Sequence, residues 1–210
     1  MAVVSSTPWL VRHGQQVLLG TGTGIVAVIL GALVAYNLRA VRGRAWEHLT
    51  SAQFLADQGK TIEAAQAVDQ LLASHKSGPL AVHAYLLKGD LALRGEKKDQ
   101  ALPAYEEALR QSSSPEFKAL SLAALAAGQE ELQKWAEAEK IQSRFVKEFP
   151  EHFLTPRAHT ALARNQMAQQ KWADAKSTLE HLIVLYPATP WAKEAKDLLV
   201  QVRGRETTEN

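Results

Sequence analysis

The chain has 210 residues, 46% hydrophobic and 22% charged, a globular balance that excludes a wholly disordered polymer. Arg12, Arg39, Arg42 and Arg44 are the only Lys or Arg residues before the first acid, Glu47; residues 45–210 therefore hold 20 bases against 22 acids, without the basic block that nucleic-acid binding needs. The absence of cysteine excludes disulfides, thiolate nucleophiles and cysteine-held zinc.

The first predicted element lies between Gly14 and Leu38, where no formal charge occurs and Val17–Leu38 is rich in Leu, Val, Ile, Ala and Gly. A helix of this length reaches about 37 Å, against a hydrocarbon core of about 30 Å. Trp9 and Tyr36 bracket it, and Arg39, Arg42 and Arg44 close it. The rival is a cleaved signal peptide, whose apolar region normally runs to about 7–15 residues. The expectation is a tail over residues 1–14 and a transmembrane helix with its basic flank over 15–43, with the lipid bilayer as a partner. Gly20, Gly24, Ala27 and Gly31 recur three or four apart, which predicts a face for association with another helix.

Downstream, Ala64, Ala101, Ala138 and Ala175 stand 37 residues apart. Other columns keep the step: Ala52, Gly89, Ala126 and Ala163 are small, and Leu72, Leu109, Val146 and Ile183 are aliphatic. Trp135 matches Trp172, and Pro150 matches Pro187. Such a period marks a solenoid, in which no unit buries its apolar face alone. Each unit reads as two helices; in the second, Leu80–Arg94 and Asp99–Arg110 have apolar residues at three-to-four spacing. Small residues twelve apart, such as Gly89 and Ala101, fall where paired helices cross. The predicted units are residues 45–78, 80–114, 115–151 and 153–188, with a capping helix over 189–203, a domain over 44–203 in all, and a polar tail over 204–210.

The pattern Leu87-Lys88-Gly89, Ala101, Tyr105 and Ala108-Leu109, with Trp135-Ala136-Glu137-Ala138, Trp172-Ala173-Asp174-Ala175 and closing prolines, resembles the tetratricopeptide repeat (TPR) family. That resemblance implies an all-α fold: a right-handed TPR helical solenoid of four repeats plus a cap, here after one transmembrane helix. The junctions Phe149-Pro150 and Tyr186-Pro187 look like those of bacterial envelope repeat proteins, including the Tol–Pal-linked cell-division coordinator and the barrel-assembly lipoprotein. The layout of one membrane helix leading into repeats is similar to the ancillary subunit of the bacterial Sec translocon. It implies an inner-membrane protein with periplasmic repeats that meet the translocon or periplasmic chaperones, although the arginines after the span favour a cytoplasmic side.

Chemistry finds little purchase. His13, His48, His75, His83, His152, His159 and His181 form no His-Glu-x-x-His pair and stand beside no nucleophile. Glu130 and Glu131 are adjacent and so diverge by about 100° on a helix, which reads as solvated charge. No catalytic residue, metal ligand or cofactor site is expected. By resemblance, a concave peptide-binding groove draws on Trp46, Leu49 and Gln53; His83, Leu86, Asp90 and Arg94; Leu120, Ala123 and Ala127; and Arg157, Thr160 and Arg164. Several of these positions serve equally well as packing against the N-terminal helix. The lysine-asparagine clamp for a terminal carboxylate is absent, since the matching positions hold Leu49, Gln53, Leu87, Leu120 and Ala124. The expected function is a membrane-anchored scaffold for protein–protein interaction, assisting export or envelope assembly. The alternative is a self-associating homo-oligomer forming a membrane-bound assembly.

Overall fold

The computed structural model describes residues 43–206. Residues 43–57 are helical (α1). There follow α2 (Thr61–Ser74), α3 (Pro79–Arg94), a 3-10 turn (Lys98–Gln100), α4 (Ala101–Gln111) and α5 (Pro115–Glu131). Then come α6 (Trp135–Glu148), α7 (Thr155–Ala168), α8 (Trp172–Leu185) and α9 (Pro190–Glu206). No strand occurs among the described residues. The chain divides into two units, Met1–Glu47 and His48–Asn210. Of the first, only residues 43–47 are described; there Ala45 is buried and Trp46 exposed. The packing below is that of the second.

Each helix from α2 onward packs on the next, and first helices of neighbouring pairs also touch, α3 on α5 and α7 on α9. Proline sits in the first turn of α3, α5, α7 and α9, where its missing N–H would have no helical partner. Ser114 caps α5 by accepting a bond from the Phe117 N–H at 3.3 Å.

The turn inside a pair recurs. Gly59, Gln133 and Gln170 occupy one repeat position and all have positive φ, +76°, +56° and +61°. In each case the following lysine donates its N–H five residues back, Lys60 to Leu55, Lys134 to Gln129 and Lys171 to Gln166. This bond closes a helix end that turns left-handed. The second pair departs from the rule: α3 ends at Gly95 with φ −98°, and the 3-10 turn carries the chain into α4.

Small residues fill the helix crossings. Ala64, Ala101, Ala138 and Ala175 are wholly buried, as are Ala52, Ala126 and Ala163. Around Tyr105 the tolerance is tightest. A Cβ on Gly89 would collide with one edge of its ring, and a Cβ on Gly128 would meet the opposite edge at 2.8 Å. At the far end, Ala195, Leu198, Leu199 and Val202 of α9 join Leu179 and Leu182 of α8 in one cluster. The outward residues Lys193, Lys196, Asp197 and Arg203 are exposed, so α9 presents a polar face beyond the last pair. The helix continues beyond 203, where the cap was predicted to end: Val202 is buried in its last turns, and Arg203 and Arg205 suit a helix C-terminus.

The expected membrane anchor requires correction. Among the described residues no helix is long and apolar enough to cross a membrane. Helices α2–α9 have 11 to 17 residues, and their apolar side chains are spent on neighbouring helices while charged faces remain outside. The expected span over 15–43 and its face of Gly20, Gly24, Ala27 and Gly31 lie outside the described residues, apart from the helical Gly43. The transmembrane helix, the bilayer as partner and the inner-membrane location are therefore withdrawn.

Two substitutions test this packing. Gly128→Val is expected to destabilise the array by about 1–3 kcal/mol through overpacking against Tyr105, read as a lower urea midpoint. Gln170→Gly is expected to stabilise it by up to about 1 kcal/mol by relieving the left-handed residue; a lower midpoint would contradict the turn geometry.

Candidate functional site

The first helices do not pack uniformly. Between α5 and α7 there is no contact comparable to those of α3 with α5 or α7 with α9. His83 of α3 meets Phe117 of α5 edge-on at 5.3 Å, and Arg164 of α7 pairs with Glu194 of α9 at 2.7 Å. Across the α5–α7 seam both sides offer alanine instead, Ala123, Ala124 and Ala127 against Ala158 and Ala161. The space they leave is a cavity of about 380 Å³, backed by Gln142 and Phe145 of α6 and bordered by Leu154. Its charged lining is Asp90, Glu130 and Arg157.

Both carboxylates are positioned by neutral donors. The Tyr105 hydroxyl donates to Asp90 Oδ1 at 2.6 Å. Burial foremost, and then the Asp90 carboxylate, push that phenol far above its ordinary pKa, so it stays a donor. Glu130 Oε1 accepts from Asn165 Nδ2 at 2.8 Å and from Gln142 Nε2 at 3.3 Å. Asn165 and Gln142 are themselves buried, so their amides are fixed by packing as well as by bonding. Among the described residues, neither Asp90 nor Glu130 forms an ion pair with a lysine or arginine, and Arg157 forms none with an acid. Behind the seam the polar contacts continue. Glu139 receives Lys171 Nζ at 2.6 Å and Gln169 Nε2 at 2.8 Å. Burial works to raise its pKa, but these donors outweigh it and hold the carboxyl below the usual range.

Of the sequence-predicted groove residues, Asp90, Ala123, Ala127 and Arg157 meet in this cavity. The others serve elsewhere. Leu49 is buried, Leu86 packs in the cluster around Tyr105, and Thr160 donates to the Pro156 carbonyl. His83 and Arg164 make the inter-helix contacts given above. Gln53 and Arg94 are exposed and Leu120 is half-buried, while Trp46 belongs to the first unit. Sequence reasoning did not place Ala124, Glu130, Gln142, Phe145, Leu154, Ala158 or Ala161 in the groove. One signal for Glu130 was available: an acid in the last turn of a helix opposes the macrodipole, and such placement asks for another reason.

The cavity in a stack of paired helices defines an all-helical repeat scaffold. A model described as tetratricopeptide repeat matches residues 49–116 and 86–153, and another of the same description matches 158–189. The chain belongs to the tetratricopeptide repeat family, a family of non-catalytic scaffolds. Among the described residues no group of three or more His, Asp or Glu is placed to hold a metal ion.

Among solved structures, a tetratricopeptide repeat protein from Parabacteroides merdae is 19% identical with a TM-score of 0.64, covering 77% of this chain and 60% of its own. This chain thus spans less than two thirds of that structure's length. The nearly identical TPR-like repeats of a Podosopora anserina kinesin light chain are 17% identical with a TM-score of 0.62, covering 80% and 97%. MamA from Desulfovibrio magneticus RS-1 is 12% identical with a TM-score of 0.57, covering 79% and 97%. At these identities the likeness is one of fold. No curated protein matches. The resemblance to the ancillary Sec translocon subunit rested on the membrane anchor and is withdrawn with it, together with export, envelope assembly, a membrane-bound assembly and the translocon or chaperone partners.

A pH prediction follows from the α7–α8 packing. His159 is buried, its Nδ1 lacks a hydrogen-bond partner, and its ring lies 5.6 Å from that of His181. Burial first, then the His181 charge, lower its pKa below the ordinary 6.5. The unfolded chain then binds the proton more readily than the folded one, so stability is full above about pH 6.5 and falls as the pH drops toward the folded value. Depressed carboxylates such as Glu148 act only below their ordinary 4.5. Melting temperature should therefore decline between pH 7 and pH 5, and His159→Leu should flatten that decline.

Proposed function

We propose that the chain is a scaffold that holds a segment of another protein in the cavity between α5 and α7. The gap between these two helices, where their neighbours are in contact, carries this reading. Alanines on both walls admit a partner backbone closely, and the apolar lining offers burial while Asp90, Glu130 and Arg157 give polar register. A volume of about 380 Å³ accommodates a few side chains, not a folded domain. In this reading the array comprises four two-helix units with α9 as its cap, and residues of α3, α5 and α7 supply the groove.

A photo-crosslinking residue placed at Ala127 should yield adducts in extracts of the native cell, whereas one at the exposed Lys140 of α6 should not. Ala161→Trp, which fills the cavity, should abolish the Ala127 adducts while leaving the helical circular dichroism spectrum intact. Equal adducts from both positions, or adducts indifferent to Ala161→Trp, would reject the cavity as the binding site.

A further inference from the structure

We infer that the occupant of the cavity carries a lysine or arginine side chain seated against Asp90 and Glu130. The inference rests on the cavity being a binding site and names the chemistry that fills it. Both carboxylates border one space, and among the described residues neither has a cationic partner. Five acids elsewhere in the array do have one: Asp69 with Lys88, Glu107 with Arg110, Glu139 with Lys171, Glu148 with Lys118 and Arg144, and Glu194 with Arg164. Others such as Glu106, Glu131 and Asp174 have none among the described residues; what sets Asp90 and Glu130 apart is that both line one cavity.

What holds the two cavity acids is neutral. Tyr105, Asn165 and Gln142 fix one oxygen of each without cancelling its charge. Asp90 Oδ2 and Glu130 Oε2 have no hydrogen-bond partner among the described residues. Glu130 also stands in the last turn of α5, where the helix end adds negative potential to that of the carboxylate. Two fixed acids and a helix C-terminus make a local field that attracts a cation and disfavours an anion. The small alanines let a long basic side chain lay its methylene stem along the wall while its charged head reaches the acids. Arg94, one turn beyond Asp90, is exposed and forms no ion pair with it, although its charge is felt at Tyr105. Arg157, on the α7 side, disfavours a second basic residue beside it and so orients the segment.

The test uses a random peptide library displayed on phage and selected on the full chain. Selected peptides are then synthesised and measured by fluorescence anisotropy against the unaltered chain, Asp90→Asn, Glu130→Gln and Ala161→Trp. Asparagine and glutamine keep one acceptor oxygen for Tyr105, Asn165 and Gln142, so the internal bonds survive while the charge and the free acceptor oxygen are lost. The expected result is enrichment of Lys or Arg, with affinity about tenfold lower for each neutral variant and falling with added salt. Peptides that are blocked by Ala161→Trp yet show no basic enrichment, show acidic enrichment, or bind the neutral variants equally would overturn this inference and leave the cavity reading standing. Peptides indifferent to Ala161→Trp would overturn both.

Discussion

The ring of Tyr105 stands between Gly89 of α3 and Gly128 of α5, and neither position has room for a methyl group. This contact governs how close the two first helices approach, because the ring is a rigid spacer and the glycines bring backbone to its edges. The same residue reaches past them to Asp90, so the spacing of the helices and the position of a cavity carboxylate are set by one side chain. Leu102 and Leu125 share its cluster, and the apolar contacts of the middle of the array converge there. A change in that ring would be felt in the fold and in the cavity together.

The architecture was legible because it is written redundantly. The column of Ala64, Ala101, Ala138 and Ala175 states a size limit four times, and repetition separates it from chance. The prolines at Pro79, Pro115, Pro156 and Pro190 mark helix starts for a reason of backbone chemistry that acts locally. Less legible was the left-handed turn, since glutamine at 133 and 170 carries no sign of positive φ and only Gly59 does. The irregular second pair was likewise hidden, although Gly95 hinted at it.

The lining of the candidate cavity was legible in part. Positions carried over from the family reached Asp90, Ala123, Ala127 and Arg157 because these lie on first helices facing a common side. The same procedure gave Arg164 and His83, whose side chains are engaged by Glu194 and Phe117, because repeat position fixes the direction of a side chain and not its partner. Glu130 escaped because adjacent acids read as a solvated pair; its bond to Asn165 spans 35 residues and joins α5 to α7. The N-terminal apolar stretch illustrates a different limit. Uncharged length argued for a spanning helix, but no described helix meets that requirement, and the functional reading now stands on the repeats alone.

The seam between α5 and α7 also has a mechanical meaning. The pairs on either side of it are cross-braced, α3 by α5 and α7 by α9, whereas across the seam the connection runs chiefly through α6. Among the described residues, α6 therefore carries most of the connection between the α3–α5 and α7–α9 braces. The Asn165–Glu130 hydrogen bond is a direct tie between α5 and α7 across that seam, set at the edge of the cavity, so one amide–carboxylate contact spans the place where the first helices otherwise stand apart.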